Sequence, residues 1–422
     1  MGERTSPLQM ERRTLKGGLE VTFQPAPASA QTFSVTYVAP AGWSYDPPGA
    51  EGLAMVAARM AVGMPGGRSR EELARELDRL GATLTSRTEP ESAEITVWGP
   101  RDSSSTLLRI FADAVLRPKF DDDELDRVRR QLRERQLRQL VQPDLRAERD
   151  LLAGVFPRGH PYRTTGIGSP SSAARISVEK LTRFHRAHYP ARGSVLAVTD
   201  RERTQSRVRT LEQMFPPAAL VPDPALPKMP DSRQAPRRLD VSIPGQSQVA
   251  VRLGGPTESR SSPRYAELYL ANEVLGGRPL LSRLFQRIRE GQGLVYHASS
   301  ELEAMRWGGY WEAAAGTDPA TRDRVVRMME REVERISTER VPARELERIR
   351  ESALGSLPLD LETTESAHEL AVDVAYHRLP GDFYRTWPAR LRAIRPAALQ
   401  RAAEVGLSPE RAFVVTAGPP AR

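Results

Sequence analysis

The side chains able to do chemistry in this sequence are few. There is no cysteine, which excludes thiol catalysis, disulfides, zinc ribbons and iron–sulfur clusters. Of the 6 histidines, His185 and His188 stand three apart in Phe184-His185-Arg186-Ala187-His188-Tyr189. On a helix that spacing puts both rings on one face, where a metal could be held. No third ligand accompanies them, so packing is the expected role. His160 precedes Pro161, where it should cap or pack. A Ser/His/Asp triad built on a nucleophile elbow would need G-x-S-x-G, and that sequence does not occur. The densest basic stretch, Arg127 to Arg138, reads as a helix face. The chain carries 62 basic against 54 acidic residues, a net charge of +8. The signs are interleaved, as in Glu71-Glu72-Leu73-Ala74-Arg75-Glu76-Leu77-Asp78-Arg79, which gives solvated helix faces with i,i+4 pairs. No nucleic-acid partner is expected from that pattern.

The elements that must position these residues come in two rounds. Glu124-Leu125-Asp126-Arg127-Val128-Arg129 is repeated as Glu345-Leu346-Glu347-Arg348-Ile349-Arg350, at an offset of 221 residues. Ser194-Val195-Leu196-Ala197-Val198-Thr199-Asp200 is repeated as Ala412-Phe413-Val414-Val415-Thr416-Ala417-Gly418, at an offset of 218. The nearly shared offset and order point to a duplicated unit. Each copy reads as two early strands (19–24 and 33–39; 238–243 and 248–253), then an apolar helix (52–60; 265–275). An amphipathic helix follows (70–80, closed by Gly81; 280–289, closed by the 291–293 stretch), then a hairpin (83–88 with 94–98; 295–300 with 308–314). Long helices and a final strand complete each copy. The fold class is therefore α+β: two similar domains, each a sheet with helices packed on it. The expected division is 12–214, a linker at 215–236 and 237–420. The linker holds Pro216, Pro217, Pro222, Pro224, Pro227, Pro230 and Pro236, which should make it extended and semi-stiff. No apolar run reaches the length of a membrane helix, and the first residues are polar. No membrane insertion and a cytoplasmic location are the default, or a periplasmic one if a leader has been removed.

The segment Gly49-Ala50-Glu51-Gly52-Leu53-Ala54-Met55-Val56-Ala57-Ala58-Arg59-Met60 resembles the M16 metallopeptidase family (insulinase, pitrilysin, mitochondrial processing peptidase). So do Gly159-His160-Pro161-Tyr162, Asn272-Glu273-Val274-Leu275-Gly276-Gly277 and Ser282 to Tyr296, in the family's order and over residues 12–420. The resemblance implies two homologous domains with mostly antiparallel sheets, forming half of a clam-shell. It also implies where zinc chemistry would sit. In H-x-x-E-H two histidines one helical turn apart bind the metal, and the glutamate activates its water. Here the histidine positions are Met55 and Arg59, the general-base position is Ala58, and the distant third-ligand position falls on Arg135. A thioether is a weak zinc ligand, alanine has no donor and arginine is not deprotonated. No catalytic residue and no metal are expected in this chain.

The resemblance implies a second constellation. Active M16 enzymes face the zinc site with an arginine and a tyrosine seven residues apart, from the second domain. Arg289 and Tyr296 fit that spacing, and both are donors suited to a substrate backbone and a developing oxyanion. The local alternative is that Arg289 pairs with Glu290 and Tyr296 packs in a strand. Gly276 and Gly277 resemble a glycine-rich loop that touches substrate in a non-catalytic subunit. Lost ligands beside a kept Arg/Tyr pair match the bacterial M16B-type non-catalytic subunit. That implies a homologous partner bearing H-x-x-E-H and zinc, with peptide as the shared substrate. The alternative is a zinc-free structural or peptide-binding scaffold, homodimeric or like a respiratory-complex core subunit.

Overall fold

The computed structural model describes residues 8–190, 192–202, 204–215 and 237–420. The strands, in chain order, are β1 Glu11–Thr14, β2 Glu20–Pro25, β3 Thr32–Ala39, β4 Thr83–Thr88, β5 Ala93–Pro100, β6 Val195–Asp200, β7 Arg237–Ser242, β8 Val249–Thr257, β9 Val295–Ala304, β10 Gly309–Thr317 and β11 Phe413–Gly418. The helices are α1 Leu53–Gly63, α2 Arg70–Leu80, α3 Ser104–Leu116, α4 Asp122–Val141, α5 Pro143–Val155, α6 Pro170–Ala173, α7 Val178–His188, α8 Thr204–Met214, α9 Tyr265–Asn272, α10 Arg322–Thr338, α11 Ala343–Ser356, α12 Thr364–Tyr376, α13 Phe383–Ala393 and α14 Pro396–Gly406.

Two sheets result, ordered β1-β2-β6-β3-β5-β4 and β7-β11-β8-β10-β9. Setting β1 aside, the orders are the same position for position. In both, the first strand of the copy pairs in parallel with its last strand, β2 with β6 and β7 with β11. The other pairs are antiparallel. The duplication and the α+β class inferred from sequence are thus present in the topology. The short edge strand β1 has no sequence signal comparable to the others.

Helix boundaries follow local chemistry. α2 begins at a complete capping box: the Ser69 side chain accepts from the Glu72 amide, and Glu72 accepts from the Ser69 amide. It ends at Gly81 in the left-handed conformation, φ 61°. The second-copy counterpart differs from expectation. Instead of a regular helix over 280–289 there is a π-helical segment, Phe285–Glu290. A second π-helical segment, Glu273–Gly277, continues α9.

The compact units are not the two contiguous halves. One takes the described residues up to Gln136, those from Gly166 on in the first half, and Leu357–Thr386. The other takes Leu137–Thr165, the second half from β7 to Ser356, and the chain from Trp387 on. Each unit therefore includes a segment from the other half of the sequence. In the first unit α12 packs on β2, β3 and β6, where His368 sits between the hydroxyls of Thr36 (2.7 Å) and Thr199 (2.9 Å). In the second, α5 packs on β8 and β11, burying Ala147, Leu151 and Val155 with Ile243, Ala250, Val415 and Ala417. The expected linker lies outside the described residues except for Phe215. That residue is buried in the first core and stacked on Tyr37 at 5.9 Å.

Candidate functional site

The helix that would carry zinc ligands is α1. Its start is fixed by Asp46, whose carboxylate oxygens accept from the Gly52 amide at 2.6 Å and the Ala54 amide at 2.7 Å. Burial pushes the Asp46 carboxyl up to about 7, against the pull of those two amides. Gly52 takes φ 98°, a conformation that L side chains avoid. From there α1 is buried almost all round; only Met55, Arg59 and Val62 are partly exposed. These three form one stripe, i, i+4, i+7, and the first two are the histidine positions of the motif. Ala58, at the general-base position, is fully buried.

Helix α4 delivers the third-ligand position to the same place. Leu125, Val128 and Leu132 run along its buried face and join the core around α1. One turn further on, the Arg135 Nη1 lies 3.5 Å from the Met55 sulfur. Met55, Arg59 and Arg135 are thus brought together, as the spacing of the motif implies. Their chemistry does not fit zinc: one thioether, two protonated guanidinium groups and a methyl group supply no imidazole, carboxylate or thiolate, and the guanidinium charges repel a cation. Among the described residues no group of three or more His, Asp and Glu side chains could hold a metal ion.

The surroundings are basic as well. Arg59 is half-buried, and burial, then the charges of Arg135, Arg127 and Arg70, lower its affinity for its proton. Glu124 is the carboxylate of this cluster. It accepts from Arg127 at 2.6 Å and from Arg70 at 3.4 Å. Burial would raise its pKa, but those two arginines hold it below the usual range. Asp46, Glu124, Arg70 and Arg127 stand outside the motif and carry no mark of a site in the sequence. The i,i+3 spacing of Glu124 and Arg127 was a usable signal of their pairing; nothing local connects Arg70 to Glu124, 54 positions later.

The second unit carries the other candidate pair. Arg289 lies in the π-helical segment Phe285–Glu290, and Tyr296 near the start of β9, an edge strand of its sheet. Tyr296 is 70% exposed. Arg289 is exposed, and its guanidinium lies over the Phe285 ring, 5.0 Å from the centroid. Among the described residues it forms no ion pair, with Glu290 or another carboxylate, and Tyr296 is not packed away in its strand. Gly276 and Gly277 are not in a loop. They end the π-helical segment Glu273–Gly277, where a Cβ on Gly276 would stand 2.4 Å from the Ser300 amide nitrogen. Close packing against β9 requires glycine there.

The histidines are structural, as expected. His185 bonds the Val115 carbonyl at 2.9 Å and stacks on Tyr189; His188 bonds the Pro40 carbonyl at 3.0 Å and stacks on Phe184. His160 accepts from the Tyr162 amide at 3.1 Å and stacks on Phe156.

Comparison with known proteins gives a consistent result. The model for insulinase (peptidase family M16) matches residues 25–158, and that for the peptidase M16 inactive domain matches residues 175–353. An uncharacterized zinc protease of Streptomyces coelicolor is 27% identical over 205 residues, covering 47% of this chain and 44% of that protein. The chain thus spans under half of that relative's length. The uncharacterized zinc protease YmxG of Bacillus subtilis is 22% identical over 362 residues, covering 85% of this chain and 86% of that one. Among solved structures, a peptidase M16 inactive domain from Pseudomonas fluorescens superposes with a TM-score of 0.90 at 21% identity, over 97% of this chain and 98% of that one. A protease from Helicobacter pylori superposes at 0.84 with 16% identity, over 97% and 99%.

Proposed function

Since this chain belongs to peptidase family M16, we propose that it is the non-catalytic subunit of a heterodimeric zinc peptidase. It binds peptide and supplies Arg289 and Tyr296 to the zinc site of a homologous partner that keeps H-x-x-E-H. The carrying observation is the state of that pair. A tyrosine left 70% exposed, and an exposed guanidinium that has no ion pair among the described residues, are poorly explained by packing within the unit. Donors held ready for an oxyanion explain them better. The loss of donor chemistry at Met55, Ala58, Arg59 and Arg135 supports placing the zinc in the partner. Peptide binding has support from β4, which is an edge strand, alternates in exposure and packs beside α1. An extended peptide can add to such an edge through main-chain hydrogen bonds.

The test is turnover by the complex purified from its native cells. Arg289→Ala should lower kcat by about two to three orders of magnitude, with assembly unchanged by size-exclusion chromatography. Tyr296→Phe, which removes only the phenol oxygen, should act in the same direction. Unchanged turnover in Arg289→Ala would reject the helper role. Recovery of a self-associated chain with no zinc-bearing partner would favour a scaffold instead.

A further inference from the structure

The place where this fold would hold a divalent cation has reversed its charge. The charges of Arg70, Arg127 and Arg135 all bear on the Arg59 guanidinium there. Glu124 serves Arg70 and Arg127. Neither Arg59 nor Arg135 makes an ion pair among the described residues, and the Arg135 guanidinium rests on the Met55 sulfur at 3.5 Å, a weak acceptor. A half-buried guanidinium ringed by like charges is unfavourable without a counter-ion. Yet the carboxylate present in the cluster serves Arg70 and Arg127 and leaves Arg59 and Arg135 without one.

We infer that Arg59 and Arg135 form a carboxylate-binding site in the position of the lost metal, taking a carboxylate of a bound peptide. Guanidinium forks match a carboxylate in shape as well as charge, and each can donate two parallel hydrogen bonds. The position suits a peptide ligand. Arg59 projects from α1, and α1 packs on the open-edged strand β4. The unbranched Met55 side chain beside them is adaptable enough to accept different neighbouring groups. The carboxylate could be the side chain of an aspartate or glutamate, or the C-terminus of the peptide. The inference rests on the peptide-binding part of the proposed function and not on the Arg289/Tyr296 pair or on a partner.

The test uses the full chain alone and three fluorescein-labelled decapeptides, read by anisotropy at low salt. One carries central glutamates and a C-terminal amide. The second replaces the glutamates with glutamine. The third is the glutamine peptide with a free C-terminus. One of the two carboxylate peptides should bind about tenfold tighter than the glutamine amide, and which one does so identifies side-chain or terminal capture. Arg59→Met and Arg135→Met should each abolish the preference, while Arg348→Gln, an exposed change in the second unit, should leave it intact. Arg135 is exposed, so its variant will fold even if the Arg59 variant does not. The melting temperature of Arg59→Met should equal or exceed wild type, because the unpaired charge is a burden without ligand. Equal binding of all three peptides by wild type would overturn the site and leave peptide binding itself standing. No binding of any peptide would overturn both. A preference that survives Arg135→Met, or falls equally in Arg348→Gln, would reduce the effect to net charge and reject the site.

Discussion

At the scale of residues, Glu124 decides how the arginine cluster is tolerated. It is nearly buried, and its two oxygens are taken by Arg127 and Arg70. Removing the charge by Glu124→Gln leaves those arginines facing Arg59 and Arg135 without compensation. Arg70 is exposed, so solvent screens part of the loss, and a cost of about 2 kcal/mol in urea unfolding at neutral pH is expected. The sign with pH follows from the depressed pKa. The stabilisation is present above the usual glutamate range and lost as pH falls through the lowered value. Wild type and variant should therefore converge in acid, and a stability difference that does not shrink as pH falls below the usual glutamate range would contradict the assignment. The meeting of Met55 and Arg135 was legible only through the resemblance to the M16 family, whose motif implies that those two positions share one site. The claim of Glu124 on Arg70 was not, since it depends on how α2 docks.

Elements show why some boundaries are readable and others are not. α2 announces both ends through Ser69, Glu72 and Gly81. The π-helical segments do not, because one extra residue per turn is imposed by packing and leaves the apolar pattern roughly helical. Gly276 and Gly277 show the consequence. From sequence they resemble a short glycine-rich loop that touches substrate; in the fold Gly276 is buried where the segment meets β9. Gly276→Ala would drive a Cβ against the Ser300 backbone, and backbone cannot turn aside as a side chain can. The expected cost is about 2–3 kcal/mol, seen as a lower melting temperature of the isolated chain. A variant that melts like wild type and loses only peptide turnover would instead restore the loop-like role.

The whole molecule is tied together by exchange between its halves. A helix's apolar stripe shows that it must be covered but not by which sheet, so the contiguous division at 215–236 was the natural reading of the sequence. The chain instead gives α5, from the first half, to the sheet of the second, and α12, from the second half, to the sheet of the first. Two consequences follow for a chain divided within 216–236. The second half alone would lack α5 and expose Ile243, Ala250, Val415 and Ala417, an apolar face that promotes association. The first half alone would lack α12 and with it the His368 bridge between Thr36 and Thr199, leaving buried hydroxyls of both strands without that partner. Each half should therefore be poorly folded when expressed alone, with a broad or absent thermal transition. Expressed together, the two should co-purify in equal amounts by size-exclusion chromatography and regain a sharp melt. If each half instead melts cooperatively by itself, the contiguous domains are the true folding units, and α5 and α12 are later additions to sheets already stable without them.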